Sequence, residues 1–138
     1  MWEEWIFRLH LLLSLYMLGL IWFVQVVHYP LMGQVGKAVF VTYEQAHTRL
    51  TSWVTAPPML GELGTGLFLL YLHSGSPFWW ANAVGIATLW ASTFFIQVPL
   101  HNALSRQFDD YHHRQLVRTN WIRTVVWTAR ALALLTLL

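Results

Sequence analysis

The chain has 138 residues, 57% of them hydrophobic and only 10% charged, with a net charge of +2. A soluble domain carries about 25% charged residues, so this chain has too little charge to cover a water-facing surface, and its length leaves no room for a second domain. With no cysteine, disulfides, thiolate-held zinc, iron–sulfur clusters and thiol catalysis are excluded; the few basic residues flank apolar spans rather than forming a polar face, so no nucleic-acid partner is expected.

In chain order, the apolar runs predict an all-α, integral membrane four-helix bundle in one domain, because a bilayer core takes about 20 apolar residues as helix. The first span covers about residues 5–29, interrupted only by Arg8, His10, Ser14 and Gln25. The MWEEW start lacks a basic region and a cleavage site, so this span is expected to be retained rather than removed as a signal peptide. Pro30, Gly33 and Gly36 are expected to break the chain, and a helix restarts near Lys37. The second span covers about 52–73, with a kink at Pro57–Pro58 that neighbouring helices must repair. His73–Pro77 (HSGSP) reads as a tight turn. The third span covers about 78–102. Asp109 and Asp110 are start signals for the last helix, whose span covers about 119–138. Helices two and four extend beyond the bilayer on one side.

Basic residues set the orientation. Lys37 and Arg49 lie between spans one and two, and Arg106, Arg114, Arg118 and Arg123 lie between three and four, while the opposite side has only Arg8. Both termini are therefore expected on the non-cytoplasmic side of a bacterial inner (plasma) membrane.

Polar residues inside the spans carry the functional signal. His10, Ser14, Met17, Ile21, Gln25 and His28 share one face of helix one. Glu44, His47, Thr51, Thr55, Pro58 and Glu62 share one face of helix two. Thr93, Gln97 and His101 do so on helix three, and His113, Val117, Asn120, Thr124, Trp127 and Arg130 on helix four. Hydrocarbon offers polar groups no partner, so all four stripes should turn inward.

Height along the helices sharpens this. His28, Glu44, His47, His101 and His113 all lie within about two turns of the same end. Glu44-x-x-His47 and Asp110-x-x-His113 have the carboxylate–His spacing of di-iron and di-manganese bundles. His28, Glu44, His47, His101, His113 and Asp110 are therefore candidate metal ligands. A lone intramembrane His is more often a packing residue, and Asp109 reads as a helix cap, with Asp110 either cap or ligand. Carboxylate and imidazole suit non-haem iron, mono- or dinuclear, with manganese, copper or zinc as alternatives. Glu62 and Arg130 lie about 22 and 25 Å deeper than His47 and His113 along their helices, at similar depth, and should form a buried ion pair. It reads as structural, or as a relay with His10. Arg123, near the inner mouth, should either neutralise Glu44 or hold an anionic headgroup.

Three segments in order, VVHYP (26–30), PLHNAL (99–104) and NWIRT (120–124), resemble the anthrone oxygenase-like family of small four-helix membrane proteins over most of the chain. His101 falls where that family carries Asn, and Asn120 where it carries His. The resemblance implies oxygen-dependent oxidation of an aromatic or quinone-like substrate, and gives weight to His28, Arg123 and the 99–104 segment.

The expectation is thus a membrane oxidoreductase acting on an apolar (aromatic, quinone- or lipid-like) small molecule, with Glu44, Arg123 and Asn120 in catalytic roles and Trp and Phe side chains lining the pocket. Two other classes remain open. One is a haem b redox protein with axial histidines such as His28 and His101. The other is a non-enzymatic accessory subunit of a larger membrane complex, or a proton or metal carrier. A homo-oligomer could form where Gly85, Ala87, Ala91 and Ser92 allow close helix approach.

Overall fold

The structure, a computed structural model, describes all of residues 1–138. Four helices make up almost the whole chain: α1 (Trp2–Met32), α2 (Lys37–Leu72), α3 (Pro77–Leu104) and α4 (Asp110–Leu135). There are no strands. Short connections make sequential helices antiparallel. α1 packs on α2 and α4, and α3 packs on the same two, which closes a four-membered ring whose diagonal pairs meet through side chains alone.

α1 does not stop at Pro30. It runs on to Met32, and α3 likewise passes Pro99 to reach Leu104. Each helix widens into a π turn just before its proline, at Val24–His28 and at Thr93–Gln97. A proline has no N–H and its ring crowds the carbonyl four residues earlier. One π turn absorbs both defects without ending the helix, and such turns recur at functional sites. Of the expected breakers, Pro30 does not end the helix but Gly33 and Gly36 lie in the break, and φ and ψ leave the helical region at Gly36.

α2 is continuous through Pro57 and Pro58. Pro58 leaves the Val54 carbonyl without its helical donor, and the Tyr16 hydroxyl on α1 donates to it at 3.2 Å. Asp109 caps α4, its carboxylate accepting from the backbone N–H groups of Tyr111 at 3.1 Å and His112 at 3.4 Å. Those bonds, the Tyr111 one first and then contact with the His112 ring, hold the Asp109 carboxyl below the usual range.

The interior is unusually polar. His10, Ser14, Gln25, Glu44, Glu62, Gln97, Asn120, Thr124 and Arg130 are all buried. The outside is apolar: Trp53, Tyr71 and Phe95 are each at least 75% exposed, and Trp2, Trp5, Leu12 and Val84 also face out. α1 and α3 are long and apolar enough to cross a membrane, and less than half of each apolar stretch is buried in the fold. α2 and α4 fall short of that measure.

Midway along the bundle, Arg130 Nη1 meets Glu62 Oε1 at 2.9 Å, with both side chains nearly inaccessible. Ser14 Oγ donates to the same oxygen at 2.6 Å, and Trp127 Nε1 donates to Oε2 at 2.9 Å. Arg130 Nε donates to Asn82 Oδ1, and His10 is held by Thr65 and Asn82. No polar atom of this network lacks a partner. Gly85 makes room for it. A Cβ there would stand 2.5 Å from Arg130 Cδ, so the small residue on α3 serves packing within the chain.

Candidate functional site

At the end of the bundle away from the termini, the last turns of α1 and α3 meet the first turns of α2. Glu44 is fully buried, and its Oε1 lies 2.5 Å from His101 Nδ1. The other nitrogen of His101 lies 2.9 Å from the Tyr29 hydroxyl. The consistent proton arrangement has Nδ1–H donating to Glu44 and the Tyr29 O–H donating to Nε2. His47 Nδ1 lies 2.9 Å from His28 Nε2 and 3.1 Å from Thr51 Oγ1. The His47 ring stacks on His28 with centroids 4.5 Å apart and stands 5.3 Å from His101. Its Nε2 makes no hydrogen bond within the chain.

Glu44, His47 and His101 each offer one ligand atom, and these atoms lie within 4.8 Å of one another. Imidazole and carboxylate bonds of ~2.0–2.2 Å place two ligands on one ion at most about 4.4 Å apart. The trio closes onto an ion with shifts of a few tenths of an ångström. His47 sits on α2 ahead of that helix's apolar stretch. Burial, and then the imidazoles of His101 and His28, push it down to about 3. It is therefore neutral near pH 7, the form that ligates metals. Thr51 and His28 hold its other nitrogen, the outer-shell arrangement that fixes ring orientation at metal sites.

One atom in this cluster is out of place without an ion. Glu44 Oε2 is buried and has no hydrogen-bond partner, although buried carboxylate oxygens cost several kcal/mol unless paired. A cation held by Glu44, His47 and His101 satisfies it. The donor set of one carboxylate and two imidazoles suits iron, manganese or zinc.

The π turns position the site. His28 is the last residue of the first. His101 follows the second by one turn. Glu44 and His47 are on regular α2, where their i, i+3 spacing puts them on one face.

Other expected site residues go elsewhere. His113 Nε2 donates to the Tyr29 backbone carbonyl at 2.8 Å, one of the carbonyls that the end of α1 leaves without a helical partner. Asp110 is exposed in the first turn of α4. The structure brings neither to the cluster. Asn120 is buried between α4 and α1, where its Nδ2 donates to Gln25 Oε1 at 3.0 Å. Arg123 is buried but makes no ion pair with Glu44 or with any other carboxylate. Its guanidinium lies 5.3 Å over the Trp127 ring and beside the Tyr29 hydroxyl.

Beside the cluster opens a cavity of about 260 Å³. Tyr29, His47, His101 and Arg123 line one part of it, with Met17, Leu20, Ile21, Val24, Met59 and Val98 making the apolar wall. No Trp or Phe is among the lining residues, contrary to expectation. The tryptophans instead face outward or, like Trp127 and Trp79, pack in the core. Tyr29 is the site residue that sequence reasoning missed. Its signal was a hydroxyl-bearing aromatic beside His28 and before the proline. Compared with protein-family models, curated proteins and solved structures, the chain finds no match.

Proposed function

We propose that this chain is a metal-dependent oxidoreductase embedded in a membrane as a four-helix bundle, with non-haem iron held by Glu44, His47 and His101 and an apolar substrate admitted to the adjoining cavity. The observation that carries the reading is the carboxylate–imidazole trio itself, together with the buried, partnerless second oxygen of its carboxylate, Glu44 Oε2. Membrane embedding rests on the inverted polarity, with Trp53, Phe95 and Val84 outside and Glu62, Arg130 and His10 inside. Water-soluble proteins rarely expose such continuous apolar surface. In this reading the bundle sits in a bacterial inner membrane with both termini outward, and the site lies near the cytoplasmic leaflet.

Bound there, non-haem iron supplies one-electron and oxygen chemistry. The chain's own residues do the rest. To hold an ion at Nδ1, His101 must carry its ring proton on Nε2, where the Tyr29 hydroxyl oxygen, 2.9 Å away, can accept it. His28 and Thr51 keep the His47 ring in place. The Tyr29 hydroxyl, 2.9 Å from His101 Nε2, holds a proton at the cavity edge. Met17, Ile21, Val24 and Met59 give the space next to the trio an apolar wall. The imidazoles touch one another at hydrogen-bond distance, which suits a bare ion better than the slab of a porphyrin.

The test is oxygen uptake by the purified, iron-loaded chain with an apolar hydroquinone. Uptake that requires iron and vanishes in His101→Ala supports the reading. A Soret band in the purified protein reassigns the histidines to haem b. Neither signal would point to an accessory subunit or a carrier.

A further inference from the structure

The cavity contains a cation with nothing to neutralise it. Arg123 is only 7% exposed, its Nε is buried without a hydrogen-bond partner, and no carboxylate lies within 4.0 Å. Its neighbours are Trp127, whose ring face lies under the guanidinium, and the Tyr29 hydroxyl. The other buried arginine of the bundle is treated differently. Arg130 has Glu62 at 2.9 Å and Asn82 at 3.1 Å. A charge left unpaired in an apolar interior is strongly unfavourable, and a planar guanidinium is shaped to take a carboxylate through two parallel hydrogen bonds.

The space in front of Arg123 has a defined size and character. A dry apolar cavity of about 150 Å³ accommodates benzene, and this one measures about 260 Å³. Met17, Ile21, Val24 and Met59 give it one apolar wall, while Thr51, Thr55, Thr93 and Gln97 contribute neutral polar groups and no carboxylate. We propose that the cavity binds a monocarboxylate whose apolar body is about the size of two fused six-membered rings, with the carboxylate on Arg123 and the body against the α1–α2 wall. The assignment names the substrate class of the proposed oxidoreductase site. It depends on that reading only for what happens to the ligand, because the binding site itself includes no metal.

The experiment uses the full chain, purified in detergent and stripped of metal with a chelator. Binding of 2-naphthoate and of its neutral analogue 2-naphthylmethanol is read from tryptophan fluorescence and by calorimetry. The expected result is that the acid binds roughly tenfold to hundredfold more tightly than the alcohol, the worth of a charged hydrogen bond. Arg123→Gln should erase that preference, and Arg123→Lys should keep part of it. Met59→Trp, which fills the apolar wall and leaves Arg123 in place, should weaken acid and alcohol alike. It keeps the test informative should the Arg123 variants fail to fold. Equal binding of acid and alcohol by the native chain overturns the proposal. So does an undiminished preference in folded Arg123→Gln, or tighter binding of the long-chain dodecanoate than of naphthoate. Because no metal is present, these outcomes are independent of whether the chain binds iron. A metal-loaded protein without acid preference sinks this inference alone, and acid preference in a protein that never takes metal sinks only the oxidoreductase reading.

Discussion

Replacing Glu62 by leucine should destabilise the bundle severely. Glu62 Oε1 accepts from Arg130 Nη1 and Ser14 Oγ, and Oε2 accepts from Trp127 Nε1. Its removal leaves the buried Arg130 guanidinium with only neutral partners, Asn82 and His10. Breaking a buried pair on one side costs about 3–5 kcal/mol, a large part of the ~5–15 kcal/mol that holds a domain folded. Arg130→Met should cost a comparable amount, because it strands the carboxylate. The double variant should cost about 2–3 kcal/mol less than the sum of the singles, since each change then removes a charge that the other would have stranded. The assay is reversible unfolding in mixed micelles with increasing dodecyl sulfate, followed by fluorescence, with Trp127 reporting at the pair itself. Single variants that lose less than about 1 kcal/mol, or strictly additive losses, would refute the assignment of Glu62 and Arg130 as a mutually dependent pair.

Three further outcomes follow from the geometry. Thr51→Val removes the hydroxyl 3.1 Å from His47 Nδ1 and should weaken metal binding about 10- to 100-fold, measured by competition with a chromophoric chelator, with little change in fold. Deleting Phe95, an outward-facing residue of the second π turn, should restore regular α-helix and keep His101 on the same face of α3, because a π turn holds one residue more than an α turn for about the same rotation; circular dichroism and metal binding should both survive, and loss of the metal would refute this reading of the π turn. Gly85→Ala puts a Cβ 2.5 Å from Arg130 Cδ and should cost about 1–3 kcal/mol of stability in the same micelle titration.

Much of this was legible in the sequence because polar residues in apolar runs are conspicuous. His10, Ser14, Glu62 and Arg130 stand out in that way, and the need to satisfy them fixes which face of each helix turns inward. Glu44, His47 and His101 could be grouped because chain breaks on one side of the bundle set their heights. The same logic misdirected Asp110 and His113. Their spacing places them on one face, but Asp110 is the first residue of α4 and faces solvent, while His113 is taken by the Tyr29 carbonyl. That carbonyl becomes available because α1 runs through Pro30, expected to be a break, to Met32. The π turns were not legible from apolar periodicity, since one extra residue per turn shifts the pattern by less than the width of an apolar face. The paired signal was there, however, in VQVVHYP (24–30) and TFFIQVP (93–99), each with its proline two residues past the π turn. The cavity and the isolation of Arg123 depend on side-chain packing among three helices, which spacing along one helix does not encode.

The central claim is that Glu44, His47 and His101 hold a metal ion. Elemental analysis of the purified chain after loading with ferrous iron and removal of the excess tests it most directly. The account predicts one ion per chain, lost in Glu44→Gln and in His47→Ala and retained in His113→Ala. A native protein that retains no metal, or a Glu44→Gln variant that retains as much as the native chain, would contradict it.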